Sequence, residues 1–127
     1  MSRILLVEDH PLNRKLVRAV LEFRGHEIIE AGNVEQARDR LREHLFDVVL
    51  LDIQIPGGGG EAVLRTIREE PTLAELPVVA VTASAMAGDR ARLLAAGCDG
   101  YISKPIDTKT FASAIEELIR KGRSDAR

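Results

Sequence analysis

The sequence has 127 residues, of which 45% are hydrophobic and 30% charged, as in an ordinary globular domain with one core. Its 18 basic and 20 acidic residues give a net charge of −2, and 3% of the chain is aromatic. These values argue against a nucleic-acid partner, which requires a basic surface or a base-stacking platform. The apolar runs are much shorter than a membrane span, and nothing resembles a signal peptide. A single cysteine, Cys98, fits the reducing cytoplasm, where we expect the protein to be located.

The chain begins with a short apolar strand, predicted over residues 4–7, that ends on Glu8 and Asp9. Pro11 suits the first turn of a following helix, and Gly25 ends that helix. Apolar residues recur at helical spacing between them, and we expect these residues to form the buried face: Leu12, Leu16, Val20 and Phe23.

The second strand–helix unit is more polar than the first. Residues 27–30 mix polar and apolar side chains, which predicts a strand at the edge of a sheet. Asn33 is a suitable cap for a second helix that extends to about His44. Its predicted inward residues are Val34, Ala37, Leu41 and Leu45.

The third strand is predicted over residues 47–52 and ends on Asp52. Its apolar run without polar alternation indicates burial on both faces, as in a parallel sheet covered by helices. A loop with four glycines, residues 57–60, follows, and we expect this loop to be mobile because glycine loses much entropy on ordering. The third helix is predicted from near Glu61 to Glu69, with Val63, Leu64 and Ile67 inward.

The last two units follow the same alternation. A fourth strand over residues 78–81 ends on Thr82, and a fourth helix covers roughly residues 84–96. That helix has few inward apolar residues, namely Met86, Leu93 and Leu94. A short fifth strand at residues 101–102 leads to Lys104 and Pro105, and Asp107 is the predicted cap of a fifth helix. The buried face of this helix is expected to comprise Phe111, Ala114, Ile115, Leu118 and Ile119.

Five alternating strand–helix units predict an α/β fold with a doubly wound parallel sheet and helices on both faces. The first, third and fourth strands are the most apolar and belong in the middle. The resulting strand order is 2-1-3-4-5, the flavodoxin-like arrangement. In such sheets a site lies outside the carboxyl ends of the strands, where the order reverses.

The strand ends bring together Glu8, Asp9, Asp52, Thr82 and Lys104. Three neighbouring carboxylates repel each other, and a hard divalent cation such as Mg²⁺ relieves that repulsion. A lysine ammonium and a threonine hydroxyl suit phosphoryl oxygens, and a carboxylate can serve as a nucleophile. Together these groups predict phosphoryl transfer to Asp52.

The spacing of these residues resembles the receiver domain of two-component response regulators over essentially the whole chain. The matching elements are Glu8-Asp9, Asp52 with Pro56, Thr82-Ala83 and Lys104-Pro105. The resemblance implies that Asp52 accepts a phosphoryl group from a phosphohistidine on a histidine kinase or a histidine phosphotransfer protein.

The resemblance also implies roles for the neighbouring residues. Mg²⁺ would be bound by Asp9, Asp52 and the backbone carbonyl of Gln54, with Glu8 assisting through water. Thr82 and Lys104 would contact the phosphoryl group, and Tyr101 would be the aromatic residue that moves inward. The Lys104–Pro105 peptide is usually cis in this family.

We therefore expect residues 1–121 to form a receiver domain and residues 122–127 a flexible tail. The expected role is that of a single-domain response regulator, a phosphorylation-dependent switch rather than an enzyme with external substrates. Its downstream target would bind the surface of the fourth helix, fifth strand and fifth helix. The alternatives are a Mg²⁺-dependent phosphohydrolase with an aspartate nucleophile, a flavodoxin-like nucleotide or flavin binder, and a receiver that binds partners without phosphorylation.

Overall fold

The computed structural model describes residues 2–83 and 87–122, and five strands alternate with five helices along the chain. The strands are β1 Arg3–Val7, β2 Glu27–Ala31, β3 Val48–Leu51, β4 Val78–Thr82 and β5 Gly100–Ser103. The helices are α1 Pro11–Phe23, α2 Val34–Glu43, α3 Gly60–Glu69, α4 Ala87–Ala96 and α5 Phe111–Lys121. All neighbouring strands are parallel, in the order β2-β1-β3-β4-β5. The predicted fold and strand order are confirmed.

The core consists of two apolar layers, one on each face of the sheet. Alternate residues of the central strands contact opposite layers, as Leu5 and Ile4 do in β1. One layer is completed by α2, α3 and α4, and the other by α1 and α5. Each fully buried leucine or isoleucine stabilises the fold by roughly 1.5–3 kcal/mol relative to exposure. The sheet is therefore a rigid support for the loops at its ends.

The register of the strands sets the position of the residues that follow them. Val7 pairs with Ala31 on one side and with Leu51 on the other. The backbone N–H of Asp52 donates to the carbonyl of Val7 at 2.9 Å. The residues after β1 and β3 are consequently neighbours at one edge of the sheet.

The prediction for the inward face of α1 is wrong for three of its four residues, whereas Val20 is half-buried and packs against the core layer of α1 and α5. Leu12 and Phe23 are 71% and 91% exposed, and Leu16 is 42% exposed. The buried residues of the helix are Val17 and Leu21. Apolar residues cover more than one stripe of α1, so helical spacing alone did not identify the stripe that contacts the sheet.

Several smaller predictions also differ from the structure. Leu45 is 84% exposed because α2 ends at Glu43 and Leu45 is no longer on the helix. Leu94 is 39% exposed and Ala114 is also exposed, although both were expected to face inward. The N-cap of α5 is Thr110, because residues 108–110 form a turn between Asp107 and the helix.

Other local predictions are confirmed. The side chain of Asn33 accepts a hydrogen bond from the backbone N–H of Gln36 at 2.8 Å and so caps α2. Val63, Leu64 and Ile67 are buried on α3. The predicted start of the fourth helix at Ser84 and the burial of Met86 fall outside the described residues, as does most of the predicted tail.

None of the helices in the described ranges has the length and apolar character needed to cross a bilayer.

Candidate functional site

Three carboxylates meet where β1 and β3 end. Glu8 and Asp52 are 2% and 7% exposed, whereas Asp9 is exposed. One carboxylate oxygen from each residue lies within 4.8 Å of the others. The topology of the sheet explains this proximity, because Glu8-Asp9 and Asp52 come after the carboxyl ends of the neighbouring strands β1 and β3.

Lys104 connects the two buried carboxylates. Its ammonium donates to Oε1 of Glu8 at 2.7 Å and to Oδ2 of Asp52 at 2.9 Å. The side chain of Lys104 is 16% exposed, so water screens these contacts poorly. The lysine reaches the site because its backbone N–H donates to the carbonyl of Thr82 at the end of β4.

Backbone donors satisfy the remaining oxygens of the same carboxylates. The N–H of His10 donates to Oε2 of Glu8, and the N–H of Gln54 donates to Oδ1 of Asp52, each at 3.0 Å. Both buried carboxyl groups therefore have one backbone donor and one shared ammonium. These hydrogen bonds fix the orientation of both carboxyl groups.

The electrostatics of the site raise the pKa values of both Lys104 and Glu8. Burial raises the pKa of Glu8 and the nearby charge of Asp52 raises it further, although Lys104 and the His10 N–H partly oppose these effects. Burial alone would lower the pKa of Lys104, but its hydrogen bonds to Glu8 and Asp52 outweigh burial and raise it.

Thr82 and Tyr101 lie on the adjacent strands β4 and β5. Thr82 is fully buried at the end of β4, beside Ser103 of β5. Tyr101 is half-buried and packs against the core layer that includes α4. The guanidinium carbon of Arg90, on α4, lies 5.9 Å from the centre of the Tyr101 ring. The Lys104–Pro105 peptide is cis, as the resemblance implied.

The four glycines of residues 57–60 form the end of the connection between β3 and α3 and the first residue of α3. Gly57, Gly58 and Gly59 all have positive φ values, between 83° and 120°. A Cβ atom on Gly60 would lie 2.6 Å from the carbonyl oxygen of Asp52. These glycines are thus required by backbone shape and close approach. Mobility of the loop stays a prediction.

Two residues near the site were missed by the sequence interpretation. Arg14 donates to the backbone carbonyl of Glu8, and Arg90 lies over the Tyr101 ring. The sequence shows that Arg14 is on the helix after the acidic pair, which is a weak signal. The hydrogen bonds of Arg14 to the Glu8 carbonyl and the contact between α4 and β5 cannot be predicted without knowledge of the backbone positions.

The acidic cluster has the donor chemistry of a hard-cation site. Carboxylate and carbonyl oxygens are the ligands that Mg²⁺ prefers. Glu8, Asp9 and Asp52 contribute three such groups, one of them accessible from solvent. The residues present therefore fit a divalent cation.

The chain belongs to the response regulator receiver domain family, whose model matches residues 4–116. It is a receiver domain of two-component signalling, and the resemblance noted from its motifs is confirmed. One relative, the polar-differentiation response regulator DivK of Brucella anthropi, is 41% identical over 116 residues, covering 91% of this chain and 94% of DivK.

Solved structures agree in fold. The receiver domain of the Pseudomonas aeruginosa sensor histidine kinase PA1611 is 30% identical, with a TM-score of 0.86 over 94% of this chain and 98% of that one. That structure has a magnesium ion coordinated in its active-site cleft. The phosphorylated cyanobacterial phytochrome response regulator RcpA is 27% identical, with a TM-score of 0.82 over 94% of each chain.

Proposed function

We propose that Asp52 accepts a phosphoryl group from a phosphohistidine on a histidine kinase or histidine phosphotransfer protein, in a Mg²⁺-dependent reaction. The observation that carries the proposal is the contact of the Lys104 ammonium with both Glu8 and Asp52, beside the third carboxylate, Asp9. A buried nucleophile, a fixed cation and a cluster of metal ligands are the elements that phosphoryl transfer requires.

In this proposal the metal is bound by Asp9, Asp52 and the backbone carbonyl of Gln54, with Glu8 acting through water. The acidic cluster supports this set, and the magnesium ion in the PA1611 receiver domain supports the choice of metal. When bound, Mg²⁺ would offset the charge that develops on the phosphoryl oxygens. It would also reduce the repulsion among the carboxylates.

The transfer forms a bond between a carboxylate oxygen of Asp52 and phosphorus and breaks the phosphorus–nitrogen bond of the donor. The electron pair of the broken bond returns to the imidazole nitrogen. The chain supplies positioning, because the Gln54 N–H holds Oδ1 of Asp52 at 3.0 Å. The Lys104 ammonium and the Thr82 hydroxyl are proposed to contact the phosphoryl oxygens.

The donor is proposed to dock over the start of α1. This helix begins two residues after Asp9, so any protein that presents a phosphohistidine to Asp52 lies close to it. Leu12 and Leu16 offer an exposed apolar surface there, at 71% and 42% exposure. Leu12→Glu should slow transfer from a phosphorylated histidine domain while leaving phosphorylation by a small donor unchanged. Equal slowing of both would contradict this docking surface.

The response to phosphorylation is proposed to occur on the surface of α4, β5 and α5, where the downstream target would bind. Thr82 would move toward the phosphoryl group, and Tyr101 would fill the space behind it. The contact between Arg90 and the ring of Tyr101 supports a coupling of α4 to this motion. Phosphorylation adds nearly two negative charges, enough to shift an element between two arrangements.

Further proposals concern the bounds of the domain, its cellular compartment and the lifetime of the phosphoryl group. We propose that residues 1–121 act as one receiver domain in the cytoplasm, where histidine kinases present their phosphohistidines. Hydrolysis of the aspartyl phosphate would be slow and self-catalysed.

The experiment is amide hydrogen exchange with Mg²⁺, with and without beryllofluoride as a phosphoryl mimic. The proposal predicts changed protection around Asp52 and across α4, β5 and α5 in the wild type. Asp52→Asn is the control and should show neither change. Identical exchange in the wild type with and without the mimic would refute the switch. Rapid multiple turnover of a small phosphate ester would instead favour the phosphohydrolase.

A further inference from the structure

Arg14 ties α1 to the backbone that bears the acidic pair. Its Nε and Nη2 atoms both donate to the carbonyl oxygen of Glu8, at 3.1 and 2.7 Å. The N–H of Glu8 donates to the carbonyl of Ala31 at 2.9 Å. The peptide groups on both sides of Glu8 are therefore held, one by β2 and the other by the guanidinium fork of Arg14.

The β2–α2 connection is shaped to admit this guanidinium. A Cβ atom on Gly32 would lie 2.9 Å from Nη2 of Arg14, closer than side chains tolerate. Nη1 of Arg14 also lies 3.8 Å from Oε1 of Glu30, and the side chain is 30% exposed. The guanidinium thus occupies a defined place between β1, β2 and α1.

We propose that Arg14 is a positioning residue that fixes the Glu8–Asp9 backbone and thereby sets the affinity of the site for Mg²⁺. The inference rests on the proposed function, since it concerns the same metal. Asp9 is exposed and receives little restraint from packing, so the position of its carboxylate depends on the backbone beside Glu8. Loss of groups that hold metal ligands weakens metal binding in other proteins.

Positioning and charge predict opposite results for the loss of Arg14. A guanidinium near the site repels a cation, so removal of its charge alone would strengthen Mg²⁺ binding. Removal of a positioning contact weakens binding. Lysine keeps the charge and can still donate one hydrogen bond to the Glu8 carbonyl in place of the two that Arg14 makes. Arg14→Lys therefore keeps part of the positioning and separates the two effects.

The experiment measures Mg²⁺ affinity by calorimetric titration of the full chain, without any phosphodonor. We expect Arg14→Met to weaken Mg²⁺ binding about 10-fold, which is at the lower end of the losses caused by removing groups that orient metal ligands. Arg14→Lys should weaken Mg²⁺ binding less. Arg18→Met is the matched control, because Arg18 lies one turn further along α1 and pairs with Glu22 and Glu30. Its affinity should equal that of the wild type.

Gly32→Ala tests the same contact without changing Arg14. The added methyl group should displace the flexible end of the arginine and weaken Mg²⁺ binding in the same direction. Urea unfolding of each variant checks that it is folded. If Arg14→Met does not fold, Gly32→Ala still tests the contact.

The outcomes distinguish this inference from the proposed function. If the wild type binds Mg²⁺ no better than Asp52→Asn, the proposed metal site is wrong and the inference fails with it. If the wild type binds but Arg14→Met binds equally or more tightly, only the positioning role is wrong. Weakening by Arg14→Met and Gly32→Ala but not by Arg18→Met supports it.

Discussion

Replacement of Lys104 by methionine should destabilise the metal-free protein strongly and in a pH-dependent way. The ammonium contacts Glu8 and Asp52 at 2.7 and 2.9 Å, and these side chains are 3% and 8% exposed. Removal of one partner from a buried ionic cluster costs about 3–5 kcal/mol because the other charges stay buried. We expect about 3 kcal/mol at neutral pH, since a proton on Glu8 can replace part of the lost charge.

The sign of the pH dependence follows from the pKa of Glu8. Burial raises this pKa in the wild type, and loss of the Lys104 hydrogen bond would raise it further. A carboxyl group with a raised pKa in the folded state favours folding as the pH falls. The difference in stability between the wild type and Lys104→Met should therefore shrink between pH 7 and about pH 5.

The assay is urea unfolding followed by far-ultraviolet circular dichroism, in EDTA, at both pH values. Lys15→Met is the control, because Lys15 is exposed on α1 and its loss should cost little. The double variant with Glu8→Gln should recover part of the lost stability, since it removes one uncompensated charge. Equal stabilities of Lys104→Met and Lys15→Met would contradict the role of Lys104 in stability. A difference in stability between the wild type and Lys104→Met that grows as the pH falls would contradict the role of Glu8.

Three further predictions concern the surroundings of the site. Arg68→Met should destabilise the fold by about 3 kcal/mol in urea, because Arg68 donates to Asp99 at 2.8 Å and their side chains are only 14% and 4% exposed; a loss below about 1 kcal/mol would contradict this. Arg90→Ala should shift Tyr101 toward an inward position by about 0.5–1 kcal/mol, visible in the single tyrosine resonance; an unchanged resonance would disprove the coupling. Mg²⁺ should raise the melting temperature of the wild type by mass action but not that of Asp52→Asn; equal shifts would argue against the metal site.

The sheet and the meeting of the carboxylates could be predicted from the sequence because few topologies satisfy strict strand–helix alternation. The apolar runs identify the central strands, and the residue after each run then lies at the carboxyl edge. Glu8, Asp9 and Asp52 were placed together on this basis, and the structure brings them within 4.8 Å.

The packing of α1 could not be predicted in the same way. Leu16 and Val17 are adjacent in sequence but lie about 100° apart around the helix, and only Val17 faces the sheet. Apolar spacing is satisfied by both stripes. An exposed apolar stripe such as that of Leu12 and Leu16 has the same sequence pattern as a buried one, although in the structure it is available to a partner.

Contacts made by long side chains could not be predicted from the sequence either. The bridge that Lys104 makes between Glu8 and Asp52 was not predicted, and its contact with a phosphoryl group stays a prediction. The hydrogen bond of Arg14 to the Glu8 carbonyl needs the space beside Gly32, where a Cβ atom would lie 2.9 Å from Nη2 of Arg14. Such contacts require the backbone positions, which residue spacing does not provide.

The intact mass of the protein after exposure to a small-molecule phosphodonor would show whether Asp52 accepts a phosphoryl group. The wild type and Asp52→Ala would be compared with Mg²⁺ and with EDTA. We predict one added phosphoryl group on the wild type, dependent on Mg²⁺ and absent from the variant. A phosphoryl group that appears equally on Asp52→Ala would contradict the assignment of Asp52 as the acceptor.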